Sequence, residues 1–373
     1  MAETVQLLLY NFLEILLGVL LLFGGGELFV QGSVTLAVTL GIPQLVIGLT
    51  LVALGTSAPE LFVSITATLQ GSADLAVSNV VGSNIFNMMM VLGSSALIVP
   101  LQVDKRLVNR DIPLLIIVSM TVWGLASTGR ITWQSGVALL VALTINTIWE
   151  IFTANEESDS IIEVTSNNSE NLEVNHILYA SFKVLIATIL LVVGSETLVY
   201  GATGVARNLG VTETVIGLTI VSVGTSMPEL ATSVVATIRK RTDLAIGNVI
   251  GSNLLNQLLI LSSCGLASGS HGLMVQEIII NRDFPIMIFT TLACLPIFWT
   301  KNCISRLEGS VLVSLYLMYL LDQVFVLALP TVRVQVGLVI LCIAFPTLII
   351  VIFMRALVSW YQKKYFYWIN FFQ

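Results

Sequence analysis

The residues from Glu27 to Asn87 align without a gap onto those from Glu196 to Asn256, each pair 169 positions apart. About half of the aligned positions are identical, far more than shared hydrophobicity produces. The matches include Val-Ile-Gly-Leu-Thr at 46–50 and 215–219, and Gly-Thr-Ser-X-Pro-Glu-Leu at 55–61 and 224–230. They also include Gly-Ser-Asn-X-X-Asn at 82–87 and 251–256, and beyond the alignment Asn-Arg-Asp-X-Pro recurs at 109–113 and 281–285. A chain that repeats itself over such a length folds as two copies of one unit.

The medium around those units is lipid. Only 10% of the 373 residues are charged and 56% are hydrophobic, with a mean hydropathy of +0.95. Soluble domains carry about a quarter charged residues. Apolar runs long enough to cross about 30 Å of hydrocarbon recur along the chain. Roughly eleven are predicted, at 8–31, 42–70, 75–99, 112–128, 132–152, 177–204, 211–238, 244–268, 284–300, 308–328 and 335–356. Their length favours a helical bundle over a β-barrel, whose strands are shorter and alternate. The first run has no basic segment before it, so it reads as a span and not as a cleaved signal.

Positive charge gathers on the cytoplasmic side of short loops. With the N-terminus outside and eleven spans threaded, eleven Lys and Arg residues fall inside and four outside, while Lys183 is ambiguous. The N-terminus is therefore expected outside and the C-terminus in the cytoplasm. The polar segment 154–175 holds six of the 22 acidic residues and is expected to be a cytoplasmic linker. It is too short for a folded sensor domain.

Five spans separate equivalent positions of the two copies. An odd number makes the second copy enter the membrane from the opposite face. Such inverted repeats are the architecture of many secondary transporters, with the site at the repeat interface near mid-membrane.

Glu60 and Glu229 sit inside apolar spans, where an ionisable group is costly unless paired or solvated. A protonated glutamate bonded to a neighbouring helix is the plainer alternative, but two symmetry-related copies in one motif favour function. Pro59 and Pro228 each remove a helix amide and displace the carbonyl four residues back, at Gly55 and Gly224. With Thr56, Ser57, Thr225 and Ser226 this predicts an oxygen-rich break in each helix. Ser83 and Asn87 are four apart and share a helix face, as do Ser252 and Asn256. Small-residue packing is the other role of this second motif, for Asn84 and Asn253 above all.

These ligands are all oxygen, with two carboxylates and no Cys or His. Hard cations fit them, and Ca²⁺ fits best, since it takes six to eight oxygens in flexible geometry. Zinc or copper would call for imidazole or thiolate. Two glutamates balance one Ca²⁺, and Na⁺ ions or protons can take its place. Exclusive occupancy of one charge-compensated site is the physical basis of antiport. The four cysteines, Cys264, Cys294, Cys303 and Cys342, show no pairing motif and read as small hydrophobes. No nucleophile–base pair or His-Glu-X-X-His motif appears, so a transporter is expected and not an enzyme. Nothing points to a cofactor, a nucleic acid or an obligatory protein partner. An uncoupled channel or a membrane scaffold is the remote alternative.

Gly-Thr-Ser-Ala-Pro-Glu with Gly-Ser-Asn-Ile-Phe-Asn, and the matching second pair, resemble the α-repeats of the calcium/cation antiporter superfamily, above all its prokaryotic sodium/calcium exchangers. The resemblance implies an all-α polytopic membrane protein whose ten-helix core is two inverted five-helix repeats. Residues 1–153 would form the first repeat and 176–330 the second, with 331–373 adding an eleventh helix and a basic, aromatic tail. It implies Ca²⁺ exchanged for Na⁺, with sites between the second, third, seventh and eighth helices and with sliding of the first and sixth. By position, Glu60 and Glu229 would be the central Ca²⁺ ligands. Thr56, Ser57, Thr225, Ser226, Ser83 and Ser252 would line flanking Na⁺ sites. The carbonyls of Ala53 and Ser222 would contribute backbone oxygens, and Asn87 matches the polar residue of the first repeat. Asn256 departs from the pattern, since many such exchangers carry Asp there. It leaves H⁺/Ca²⁺ exchange on the same glutamate pair as the alternative, although the Gly-Thr-Ser-X-Pro-Glu form favours the sodium branch.

Overall fold

Inside hydrocarbon each backbone amide needs a partner in its own segment, so the apolar runs form helices. The computed structural model describes residues 2–165, 174–210, 220, 222–301 and 303–328. The first repeat holds α1 (Ala2–Leu40), α2 (Gln44–Thr56), α3 (Ala58–Leu69), α4 (Ala73–Ile98), α5 (Leu107–Ala126) and α6 (Trp133–Thr165). The second holds α7 (Val174–Asn208), α8 (Ser222–Gly224), α9 (Met227–Ile238), α10 (Thr242–Ala267), α11 (Phe284–Lys301) and α12 (Arg306–Ala328). Among the described residues five of these helices are long and apolar enough to cross a membrane. The pair α2 and α3, bent by 46°, makes a sixth if it is one span.

The expected eleventh span at 335–356 and the Val-Ile-Gly-Leu-Thr copy at 215–219 lie outside the described residues. Helix α6 runs on to Thr165 and α7 starts at Val174, so helix enters the expected linker from both ends. Glu156, Glu157 and Glu163 are good helix formers that let the preceding helix continue.

Matching ends confirm the repeat. Helices α3 and α9 close with the same turn, in which Ser72 donates to the Ala67 carbonyl (2.8 Å) and Arg241 to that of Ala236 (2.8 Å). The left-handed position of that turn is Gly71 in one copy and Lys240 (φ 60°) in the other.

Among the described residues, four two-residue strands seal the inverted arrangement: β1 (Leu101–Gln102), β2 (Arg130–Ile131), β3 (Leu273–Met274) and β4 (Cys303–Ile304). Strand β1 pairs antiparallel with β4, and β2 with β3. Each sheet takes one strand from each repeat, and exchanging the repeats exchanges the sheets.

The conserved spacing of Asn-Arg-Asp-X-Pro has a structural use in both copies. Arg110 pairs with Glu150 of α6 (2.9 Å), and Arg106 bonds the same carboxylate. In the second copy Arg282 pairs with Asp283 (2.8 Å) and donates to Gln323 of α12 (3.0 Å).

Helices α4 and α10 form the centre, with 78% and 89% of their most apolar 18-residue stretch buried, against 17% and 28% for α1 and α7. The outer pair packs through glycines two turns apart. A Cβ on Gly18 would stand 2.6 Å from the Leu198 nitrogen, and one on Gly25 3.1 Å from that of Leu191. Close backbone approach is how helices associate where lipid removes the hydrophobic drive.

Candidate cation site

Each bend is a helix restart. Helix α2 stops at Thr56, Ser57 is non-helical (φ −80°, ψ 7°), and Pro59 lies in the first turn of α3. Proline costs little there, because first-turn amides have no intrahelical acceptor. Ser226 (φ −91°, ψ 9°) and Pro228 repeat the geometry before α9. The expected displacement of a carbonyl within a continuous helix is therefore corrected. In the second repeat the Gly224 carbonyl accepts the Ser195 hydroxyl. Both glutamates fall in the first turn of a helix, where the macrodipole favours negative charge.

The two halves meet through reciprocal bonds. Ser57 Oγ donates to Glu229 Oε1 (3.1 Å), and Ser226 Oγ donates to Glu60 Oε1 (2.8 Å). Both carboxylates are fully buried and repel each other. The second oxygen of each, Oε2, is buried with no hydrogen-bond donor.

A belt of amides lies on the pseudo-twofold axis. Asn84 and Asn253 each donate to the other's backbone carbonyl at 3.3 Å, so packing is what the structure gives them. Asn87 Nδ2 donates to Asn253 Oδ1 (3.2 Å), and Asn256 Nδ2 to Asn84 Oδ1 (3.1 Å). With their donors used across the axis, Asn87 Oδ1 and Asn256 Oδ1 remain as buried acceptors without a donor, as does Ser83 Oγ.

The other expected residues also gather here. Thr56 Oγ1 lies 3.5 Å from Ser252 Oγ, and both stand beside Glu229. Thr225 is buried next to Ser226. The Ala53 carbonyl already accepts the Ser57 amide (2.9 Å) and lies 3.3 Å from the Thr56 hydroxyl. In the second repeat the Ser226 amide donates to Val223 instead (3.1 Å), and the Ser222 side chain lies outside what is described. Among the described residues no group of three or more His, Cys, Asp or Glu could hold a metal. The negative charge comes from two carboxylates alone, and neutral oxygens supply the rest.

Two residues escaped the sequence reading. Asn79 accepts the Thr225 hydroxyl (3.3 Å), and Asn248 accepts that of Thr56 (3.0 Å). The signal was present: both recur in the repeat, five positions before Asn84 and Asn253.

The family described as sodium/calcium exchanger protein matches residues 10–152 and 180–325, one block in each repeat. The sodium/calcium exchanger MaX1 of Methanosarcina acetivorans is 32% identical over 344 residues, covering 83% of this chain and 97% of that protein. The inner membrane protein YrbG of Escherichia coli is 30% identical over 290 residues, covering 77% and 88%. A solved structure of the sodium-calcium exchanger NCX_Mj, soaked with Na⁺ and Sr²⁺, superposes with a TM-score of 0.72 at 29% identity. It covers 84% of this chain and 98% of that one. The chain is an integral membrane protein with the inverted-repeat exchanger fold, and it belongs to the sodium/calcium exchanger family of cation antiporters.

Proposed function

We propose that the protein exchanges Ca²⁺ for Na⁺, with one site between Glu60 and Glu229 holding either ion in turn. One observation carries this reading: two buried carboxylates, each steadied by a serine of the opposite repeat and each keeping an oxygen with no donor. Buried acceptors need a partner. A cation satisfies several at once, and two negative charges match one Ca²⁺ or two monovalent ions.

Glu60 and Glu229 are the central ligands. Asn87, Asn256 and the hydroxyls of Thr56, Ser57, Ser83, Thr225, Ser226 and Ser252 complete the cage, with backbone oxygens of Ala53 and Ser222. An empty site would leave two uncompensated charges out of water, so the site crosses the membrane only when loaded. The sodium/calcium exchangers MaX1 and NCX_Mj support Na⁺ as the counter-ion. With the N-terminus outside, as the basic residues indicate, an inward Na⁺ gradient drives Ca²⁺ export.

The test is ion-replacement flux in everted vesicles, with Na⁺, K⁺, Li⁺ and H⁺ gradients set in turn against ⁴⁵Ca²⁺. A Na⁺ gradient is expected to move Ca²⁺ and the others to fail. Movement driven by a pH gradient without Na⁺ would transfer the coupling to protons, which neutral Asn256 makes the second reading. Uncoupled high-rate conductance would remove antiport altogether.

A further inference from the structure

Asn79 and Asn248 each tie the bend of one repeat to the body of the other. Asn248, on α10, accepts the Thr56 hydroxyl at 3.0 Å. Its amide nitrogen donates to Ser233 Oγ (2.9 Å) and to the Glu229 carbonyl (3.4 Å), both on α9. Asn79, on α4, accepts the Thr225 hydroxyl at 3.3 Å and donates to Ser64 of α3 at 3.0 Å. All three residues of one bridge have their counterparts 169 positions away in the other. The same bridge is built twice, and both asparagines are buried.

The donor side fixes which way the amide faces. With Nδ2 used on a serine, only Oδ1 is left for the threonine. A hydroxyl has a single proton and two lone pairs. Given to the asparagine, that proton is withheld from the glutamates, and the oxygen keeps lone pairs for a cation. Thr56 has other acceptors, the Val52 and Ala53 carbonyls at 3.2 and 3.3 Å, but Asn248 is the nearest. The Glu229 carboxylate lies within hydrogen-bonding reach of the Thr56 hydroxyl as well and competes with Asn248 for its proton. Without Asn248, the proton is free to turn toward that carboxylate and occupy an oxygen the ion needs.

We propose that Asn79 and Asn248 are positioning residues that orient Thr225 and Thr56 toward the transported ion and so set the affinity for Na⁺. This rests on the exchange reading above. It assigns a role to side chains that touch no ion themselves.

Purified protein in liposomes, assayed for ⁴⁵Ca²⁺ flux against a Na⁺ series, tests it. Asn248→Ala and Asn79→Ala are each expected to raise the half-saturating Na⁺ concentration roughly tenfold, the worth of one good buried hydrogen bond. Maximal rate at saturating Na⁺ stays near that of the unaltered protein. Asn248→Asp presents an acceptor to Thr56 whichever oxygen faces it, with the Ser233 hydroxyl able to donate to the other, and is expected to restore Na⁺ affinity, whereas a purely structural asparagine would suffer more from a buried charge than from alanine. In a Thr56→Val background, Asn248→Ala should add less than about twofold, since the two changes remove one interaction.

Unshifted Na⁺ dependence in the alanine variants, an Asn248→Asp variant no better than Asn248→Ala, or full additivity with Thr56→Val would each overturn the positioning role. Should Asn248→Ala not fold, Asn79→Ala and the Asn248→Asp variant decide the matter. Na⁺-independent Ca²⁺ movement by the unaltered protein is a different result, and it removes the exchange reading on which this one stands.

Discussion

Glu60→Gln and Glu229→Gln are each expected to abolish Na⁺-driven Ca²⁺ flux while the protein still folds. Glutamine keeps a side-chain oxygen where Ser226 or Ser57 donates, at 2.8 and 3.1 Å, so the bond between the repeats survives. The empty site loses a repulsion between two buried carboxylates, which relieves the fold. The loaded site loses half of its charge compensation. Removing one partner of a buried ion pair costs about 3–5 kcal/mol. At about 1.4 kcal/mol for each factor of ten, Ca²⁺ affinity falls on the order of 100-fold or more.

Thermal unfolding in detergent separates the two effects. At a Ca²⁺ concentration about a hundred times the original dissociation constant, the unaltered protein gains about 2.7 kcal/mol from binding. A variant weakened about 100-fold gains only about 0.4 kcal/mol under the same conditions. The expected signature is an unchanged or higher melting temperature without Ca²⁺ and almost no rise with it. A full Ca²⁺-induced rise in either variant, or flux retained, removes the glutamates from the site.

Much of the candidate site was legible because symmetry printed it twice. Pro59 and Pro228 mark the bends, and Glu60 and Glu229 follow them in register, so one alignment located both half-sites. The nature of the bend was not legible. A proline in an apolar run reads equally as a kink or as the first turn of a new helix, and only the backbone at Ser57 and Ser226 separates the two. Asn79 and Asn248 were hidden for another reason. A helical side chain's neighbour depends on how helices cross, and no local pattern ties Asn248 to Thr56 in the other repeat. Asn84 and Asn253 stood at the boundary, since sequence allowed both packing and ligation. The reciprocal backbone bonds give them packing. The reach of helix into 154–165 and 174–175 was masked by acidic composition, which sequence reading credits to a linker although glutamate is a good helix former.

Gly251→Ala is expected to cost both stability and transport, because this glycine sets the distance between two helices of the candidate site. A Cβ there would meet the Leu49 carbonyl oxygen, with the Leu49 carbonyl carbon and Cα at 2.7 Å. A Cβ on Gly247, one turn earlier on α10, would stand 2.8 Å from the Leu45 carbonyl oxygen and 3.1 Å from the Gly48 Cα. The obstacle is backbone, so no side chain can rotate aside and α2 itself has to move. Overpacking of this kind costs about 1–3 kcal/mol. Leu49 lies in the π-helical turn Gly48–Val52, which leads directly into Ala53, Thr56 and Ser57. Displacing it shifts the Thr56 and Ser57 hydroxyls against Ser252 and Glu229, which they meet at 3.5 and 3.1 Å. Gly265→Ala, further along the same helix, is the control, because its Cβ would find neighbours no nearer than 3.4 Å. Gly251→Ala should lower the melting temperature and the exchange rate together, and Gly265→Ala should change neither. Equal behaviour of the two would mean that the approach of α2 to α10 does not hold the site in shape.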